Sequence, residues 1–281
     1  MQKRYVAKWL VAALGVLAVG FCFQRAVVLA IHSTLMPALL PLLASSGFTG
    51  SLVPVMLAIT ELACIVVYIG WWCSLRPRSI IKLRSRRLDA RSNVLALCAL
   101  VLLGVGLQLG ISLALQLVLP LFPSLKAEYH ELMSSEVFSS LTLLSLLVVA
   151  LGAPISEEAL CRGVIFEFSL RAFCPELPPE LSRRQFWCAN IVQALLFGIF
   201  HLNVVQGAYA FVVGLVFGWV VWRTGRLWYG MVLHLSLNLS SYFVSDMHAI
   251  TAPWGLVGNI AFVALLLICG FAGLFRATDG R

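Results

Sequence analysis

Apolar residues run along this chain in long unbroken blocks, not in the three-and-four spacing of a helix with one wet face. A bilayer-crossing helix takes about 20 such residues. Eight blocks approach or exceed that length: 9–31, 52–75, 93–119, 139–168, 186–204, 208–223, 227–245 and 254–275. The pattern predicts an all-α polytopic membrane protein of about eight transmembrane helices, because only helices satisfy their own backbone in lipid over such stretches. A single integral membrane domain fills 1–281, with no sizeable soluble part. Three polar segments interrupt it: the basic stretch 76–92, the Pro-rich "AFCPELPPELSRR" at 172–184, suited to the membrane interface, and 122–138, which fits a short surface helix. Trp72, Trp187, Trp222, Trp228 and Trp254 fall near block ends, as interfacial residues do. No internal repeat is visible, which weighs against a transporter built from duplicated halves.

Composition sharpens this reading. The chain is 61% hydrophobic and 11% charged, far from the roughly 25% charged residues of a soluble domain. Its net charge of +8 suggests nucleic acid until the charges are placed. With eight spans, seventeen of the 20 basic residues fall on the side of both termini, and Lys126 alone falls opposite, beside Glu128, Glu131, Glu136 and Asp246. The positive-inside rule reads both termini as cytoplasmic, so the excess charge sets topology and nucleic acid needs no place. The N-terminal "MQKRYVAK" and the apolar run after it resemble a signal peptide, but the run is too long and lacks a small-residue cleavage site; an uncleaved first span is expected. Eight cysteines show no C-x-x-C pairing, and seven lie within the predicted spans, where free cysteine buries like a small hydrophobe.

An ionised side chain in hydrocarbon is expensive, about 3 kcal/mol even on lenient scales. Arg25 and Glu61, at similar depth in spans one and two, are expected to pair across antiparallel helices. In "APISEEALCRGVIF" (153–166), Glu158 and Arg162 are four apart and face each other along one helix side, leaving Glu157 about 100° away with no local partner. A lone glutamate in low dielectric is suited to accepting a proton. Asn190, Gln193, Phe197 and His201 form one stripe on span five, and His234, Asn238, Ser241 and Ser245 another on span seven. Ala210, Gly214 and Gly218 on span six form a small-residue packing seam.

A carboxylate, two histidines and an asparagine at similar depth suit activation of water against a carbonyl. Glu157 with His201 would take the proton, while His234 and Asn238 would donate to the oxyanion, a term worth roughly 3–4 kcal/mol per donor. The same Glu157, His201 and His234 could instead ligate zinc, with one position open for water. A proton-coupled small transporter would use them as a relay. The zinc-protease signature H-E-x-x-H, the G-x-S-x-G elbow and the phosphate-binding glycine motifs are absent.

Glu157-Glu158-x-x-x-Arg162, Phe197-x-x-x-His201 and His234-x-x-x-Asn238, in this order, resemble the three motifs of the CAAX-protease and bacteriocin-processing (CPBP, or Abi) intramembrane proteases, the family of the Ras-converting CAAX endopeptidase. The resemblance covers about 152–242, a catalytic core preceded by the first three spans and their loops in 1–138, and includes "RTGRLWYGMVLH". Cys161 departs from the aromatic residue that often precedes the arginine. The resemblance implies peptide hydrolysis within the bilayer, with Glu157 as base, His201 as its partner, His234 and Asn238 as oxyanion donors, and Glu158 and Arg162 in support. It implies a protein or peptide substrate at the membrane, with a metal-free mechanism favoured and zinc the alternative. The E-E-x-x-x-R-G form and short loops suggest a bacterial plasma membrane. A non-catalytic scaffold that binds a membrane partner is the competing function.

Overall fold

The structure, a computed structural model, describes residues 2–45, 52–85, 87–135, 141–174 and 182–278. Every regular element among them is helical. In chain order they are α1 (Gln2–Ala30), continued through a π-helical turn into α2 (Met36–Ser45), then α3 (Val53–Leu75), α4 (Ile80–Leu83), α5 (Ala90–Val118) and α6 (Pro123–Met133). There follow α7 (Leu143–Phe173), α8 (Arg183–Phe200), α9 (Val204–Thr224), α10 (Leu227–Ser241), α11 (Val244–Thr251) and α12 (Gly255–Thr278). Helix α6 is the surface helix expected in 122–138, and most of the Pro-rich segment 172–184 lies outside the described residues.

Hydropathy says where helices lie; caps say where they begin. Asp89 accepts from the Ser92 N–H at 2.7 Å ahead of α5, and Asn203 from the Gln206 N–H at 2.9 Å ahead of α9. Thr142 with Ser145, and Ser182 with Gln185, form reciprocal capping boxes ahead of α7 and α8. Each satisfies backbone donors that a membrane protein can least leave bare. Helix α9 ends at Gly225, in the left-handed region at φ 65°, where an added Cβ would strike the backbone of Arg84 and Ser85. Glycine is required there for both reasons.

Six helical stretches are long and apolar enough to cross a membrane: Arg4–Pro41, Val53–Arg78, Ala90–Leu121, Leu143–Phe173, Val204–Thr224 and Val244–Thr278. The eight expected spans are therefore matched in six. The other two blocks fold as α8, of 18 residues, and α10, of 15. At 1.5 Å rise they reach roughly 27 and 22 Å, short of a hydrocarbon core of about 30 Å. These two also carry Asn190, Gln193, His234 and Asn238.

Side-chain pairs fix the direction of each neighbour. Helix α12 runs antiparallel to α5, with Gly270 against Leu103 and Gly110 against Val263. Helix α10 runs parallel to α5, since Tyr229 donates to Asn93 and Ser236 to the Val101 carbonyl. Helix α7 lies antiparallel to α10, as Tyr242 reaches the Ser145 carbonyl and Asn238 that of Val149. It lies parallel to α3, with Glu61 at Ser156 and Trp72 at Gly163. Helices α8 and α9 pack through the expected small-residue seam: Gly214 sits against Ala194, and Gly218 beneath Asn190 and Gln193. Asn190 and Gln193 donate across it to the Leu215 and Gly214 carbonyls at 2.9 and 2.8 Å, so these two residues bind helix to helix.

The expected Arg25–Glu61 pair is not formed. Glu61 accepts from Ser156 Oγ at 2.7 Å, while the Arg25 side chain is exposed on another face of α1. Equal depth did not settle azimuth: α3 turns Glu61 toward α7, where Ser156 offers a donor. A second buried carboxylate, Glu167, has no counterpart in the sequence reading. It is fully buried, accepts from Ser79 Oγ and the Ile80 N–H, and pairs with Arg171 at 2.9 Å, fastening the 79–83 segment to α7.

Candidate active site

Helix α7 supplies three charged residues to the bundle interior: Glu157 and Glu158 between two π-helical turns at Leu146–Gly152 and Ala159–Ile165, and Arg162 within the second turn. Such turns displace the hydrogen-bond ladder and are frequent at functional sites. Arg162 Nη1 donates to Glu158 Oε1 at 2.8 Å, with both side chains fully buried, as the four-residue spacing requires. The other guanidinium nitrogens, Nε and Nη2, have no hydrogen-bond partner among the described residues. The cation lies instead against two aromatic rings, its Cζ 4.0 Å from the Phe197 centroid and 5.0 Å from that of Phe217. A cation over a π face gains most where water is excluded.

Helix α10 brings His234 to the two glutamates. Its Nδ1 lies 3.1 Å from Glu158 Oε1, and its Nε2 3.9 Å from Glu157 Oε2. A carboxylate can only accept, so Nδ1 carries the proton in the first contact and Nε2 is left facing Glu157. Phe217 lies tilted against the His234 ring at 4.9 Å and faces Arg162 as well, so one ring buttresses both. Close approach is made possible by Gly230, one turn before His234, where an added Cβ would lie 2.8 Å from Glu158 Oε2. Glu157 differs from its neighbour. Its side chain is 17% exposed, it has no arginine, and its Oε2 has no hydrogen-bond partner among the described residues.

Asn238 follows one turn after His234, and its Nδ2 donates to the Val149 carbonyl in the first π-helical turn at 2.9 Å. One amide hydrogen is thereby used and one remains for another acceptor. His201 is placed differently from expectation. It caps the C-terminus of α8, followed by Leu202 at φ 53° and by Asn203, which starts α9; it does not lie inside a span. His201 Nδ1 lies 2.9 Å from the Phe197 carbonyl, a contact in which the ring must donate, leaving Nε2 as the lone-pair nitrogen of the neutral imidazole. Its ring meets Phe197 edge-on at 4.9 Å, and Phe197 in turn meets His234 at 6.0 Å.

The structure thus gathers Glu157, Glu158, Arg162 and His234 into one cluster, sets Asn238 one turn above, and holds His201 beyond the Phe197 ring. No group of three His, Cys, Asp or Glu side chains close enough to hold one metal ion occurs among the described residues, so the Glu157, His201 and His234 set is not drawn together. Ser241 hydrogen-bonds the Asn238 carbonyl within α10, and Ser245 belongs to α11. Three contributors escaped the sequence reading: Phe217, the Val149 carbonyl and the Ser156–Glu61 bond. Gly230, a fourth, four residues before His234 in "RLWYGMVLH", did leave a signal that spacing could have caught.

Residues 139–240 match the family model described as type II CAAX prenyl endopeptidase Rce1-like. No curated protein and no solved structure matches the chain.

Proposed function

We propose, for a chain with six helical stretches long and apolar enough to cross a membrane and with residues 139–240 matching the Rce1-like CAAX endopeptidase family model, that the buried cluster hydrolyses a peptide bond of a membrane-associated or lipidated protein or peptide. One observation carries this reading: His234 bridges the two glutamates, tied through Nδ1 to an arginine-paired Glu158 and turned through Nε2 toward an unpaired Glu157. In the proposed reaction Glu157 takes a proton from water, and the hydroxide adds to the scissile carbonyl carbon. The amide hydrogen of Asn238 not used by Val149 donates to the oxyanion. His201, whose Nε2 bears the lone pair, completes the water's hydrogen bonds from the far side of Phe197 as the substrate closes the site. The proton held by Glu157 passes, directly or through His234 Nε2, to the leaving nitrogen as the C–N bond breaks; with its proton on Nδ1, His234 relays here in place of the oxyanion donation expected of it. The products are a carboxylic acid and an amine, and no metal takes part; the alternative set of Glu157, His201 and His234 would use zinc to acidify the water.

The proposed setting is a bacterial plasma membrane, in keeping with the E-E-x-x-x-R-G form and short loops, and the charge asymmetry puts both termini and the basic 76–92 segment in the cytoplasm. The test is Glu157→Gln, which keeps shape and hydrogen bonding but removes the base. General-base catalysis typically supplies about 10²–10⁴-fold, so cleavage of membrane peptides, compared between wild-type and variant cells, should fall by that factor at normal protein level. A deletion phenotype rescued in full by Glu157→Gln would replace the enzyme with a scaffold that binds without cutting.

A further inference from the structure

The end of the bundle that carries the 76–87 segment holds a cavity of about 460 Å³ between α3 and α10, apart from the glutamate cluster. Arg76, Lys82, Arg87 and Arg226 line it, and no carboxylate does. The acidic groups in that part of the chain are already engaged: Glu167 by Ser79, Ile80 and Arg171, and Asp89 at the N-terminus of α5. Arg226 Nε is buried and has no hydrogen-bond partner among the described residues. Arg76, Lys82 and Arg226 set like charges around one concavity, and an anion bound among them relieves their repulsion. The remaining wall is apolar, with Trp72, Trp228 and Met231 at the ends of membrane helices, and Arg76 stacks on the Trp72 ring at 5.2 Å. A ligand complementary to this cavity has an anionic head and an apolar body, and the site lies where tryptophan and arginine meet the headgroup layer.

We propose that this cavity binds the phosphate of an anionic phospholipid, with Trp72, Trp228 and Met231 taking the upper part of its acyl chains. The inference is independent of the peptidase reading. Met231 lies one turn before His234 on α10, so a lipid held here also braces the helix that presents the histidine.

The test uses the full chain in a neutral maltoside detergent, titrated in native mass spectrometry with dioleoylphosphatidylglycerol, dioleoylphosphatidylcholine or inorganic phosphate. Phosphatidylglycerol should bind at least about ten-fold more tightly than phosphatidylcholine, and inorganic phosphate should displace it only at roughly millimolar concentration. Each basic side chain at a membrane surface is worth roughly five-fold, so Arg76→Gln with Lys82→Gln and Arg226→Gln should weaken phosphatidylglycerol about 100-fold. The exposed trio Arg183→Gln, Arg184→Gln and Arg276→Gln removes the same charge elsewhere and should leave binding nearly unchanged. If the pocket trio lowers thermal stability, Lys82→Gln alone, at an exposed position, should still cost roughly five-fold. Equal binding of the two lipids, an unaltered affinity in the pocket variants, or an equal loss in the exposed trio would overturn the assignment. Displacement by micromolar inorganic phosphate would make free phosphate the ligand and remove the lipid.

Discussion

Replacing Arg162 with alanine removes the guanidinium that pairs with a fully buried Glu158. Taking away one member of a buried pair typically costs about 3–5 kcal/mol, because the survivor is left as an uncompensated charge, here with only the His234 N–H to face it. The contacts with Phe197 and Phe217 add a cation–π contribution of about 2 kcal/mol. The two losses overlap and do not sum, so a net loss of about 4 kcal/mol is expected. Against a typical stability of about 5–15 kcal/mol this is a large fraction, and at about 2–4 °C per kcal/mol the midpoint should fall by roughly 8–16 °C. The same physics predicts rescue. Glu158→Gln combined with Arg162→Met removes both charges, leaves an amide oxygen for the His234 N–H and fills the space between the rings with a thioether. That double variant should lose only about 2 kcal/mol, chiefly for the unsatisfied amide hydrogens. Thermal unfolding in detergent, followed by tryptophan fluorescence, reads both. Activity should part company with stability, falling by about 10–100-fold in the double variant because the carboxylate that orients His234 is gone. A double variant no more stable than Arg162→Ala would refute the argument, since the penalty would then not come from an uncompensated charge.

Two further expectations follow from the same arrangement. Protein stripped of metal should retain its peptidase activity, and chelator should leave turnover unchanged; activity lost to chelator and restored by zinc would make Glu157, His201 and His234 ligands brought together by the ion. Reporter fusions after residues 85, 130, 178 and 248 should read inside, outside, inside and outside, and an outside reading at 85 would invert the placement of the basic cavity and of both termini.

Much of the bundle could be read from hydropathy because each long apolar block has one stable answer in lipid. The Glu158–Arg162 pair was legible for a similar reason: spacing along one helix fixes azimuth as well as height. Contacts between helices were legible only where sequence restricts both partners, as at Gly214 and Gly218, which admit a neighbouring backbone wherever they lie. Depth alone misled for Arg25 and Glu61: Glu61 turns to Ser156, while the Arg25 side chain is exposed. It misled again for His201, where Asn203 starts a new helix and ends the apolar block in a turn that hydropathy does not register. The count of eight spans ran into the same difficulty from the other side. Helices α8 and α10, of 18 and 15 residues, stop short of the ends of their apolar blocks, because turns that hydropathy does not register end them early.

The adjacency of Glu157 and Glu158 has a geometric consequence that neither residue alone would have. Neighbouring positions on a helix diverge by about 100°, yet both carboxylates lie toward one imidazole, whose two nitrogens point in different directions. The nitrogen that meets Glu158 is the one given a defined proton, because Glu158 is fully buried and fixed by Arg162. Glu157, partly exposed and without a cation of its own, is the one able to exchange a proton with water. In the proposed mechanism identical side chains are thus separated into a structural and a reactive carboxylate by a single arginine four residues from one of them. Moving that arginine by one position, to face Glu157, would exchange the environments and leave His234 oriented by the wrong glutamate.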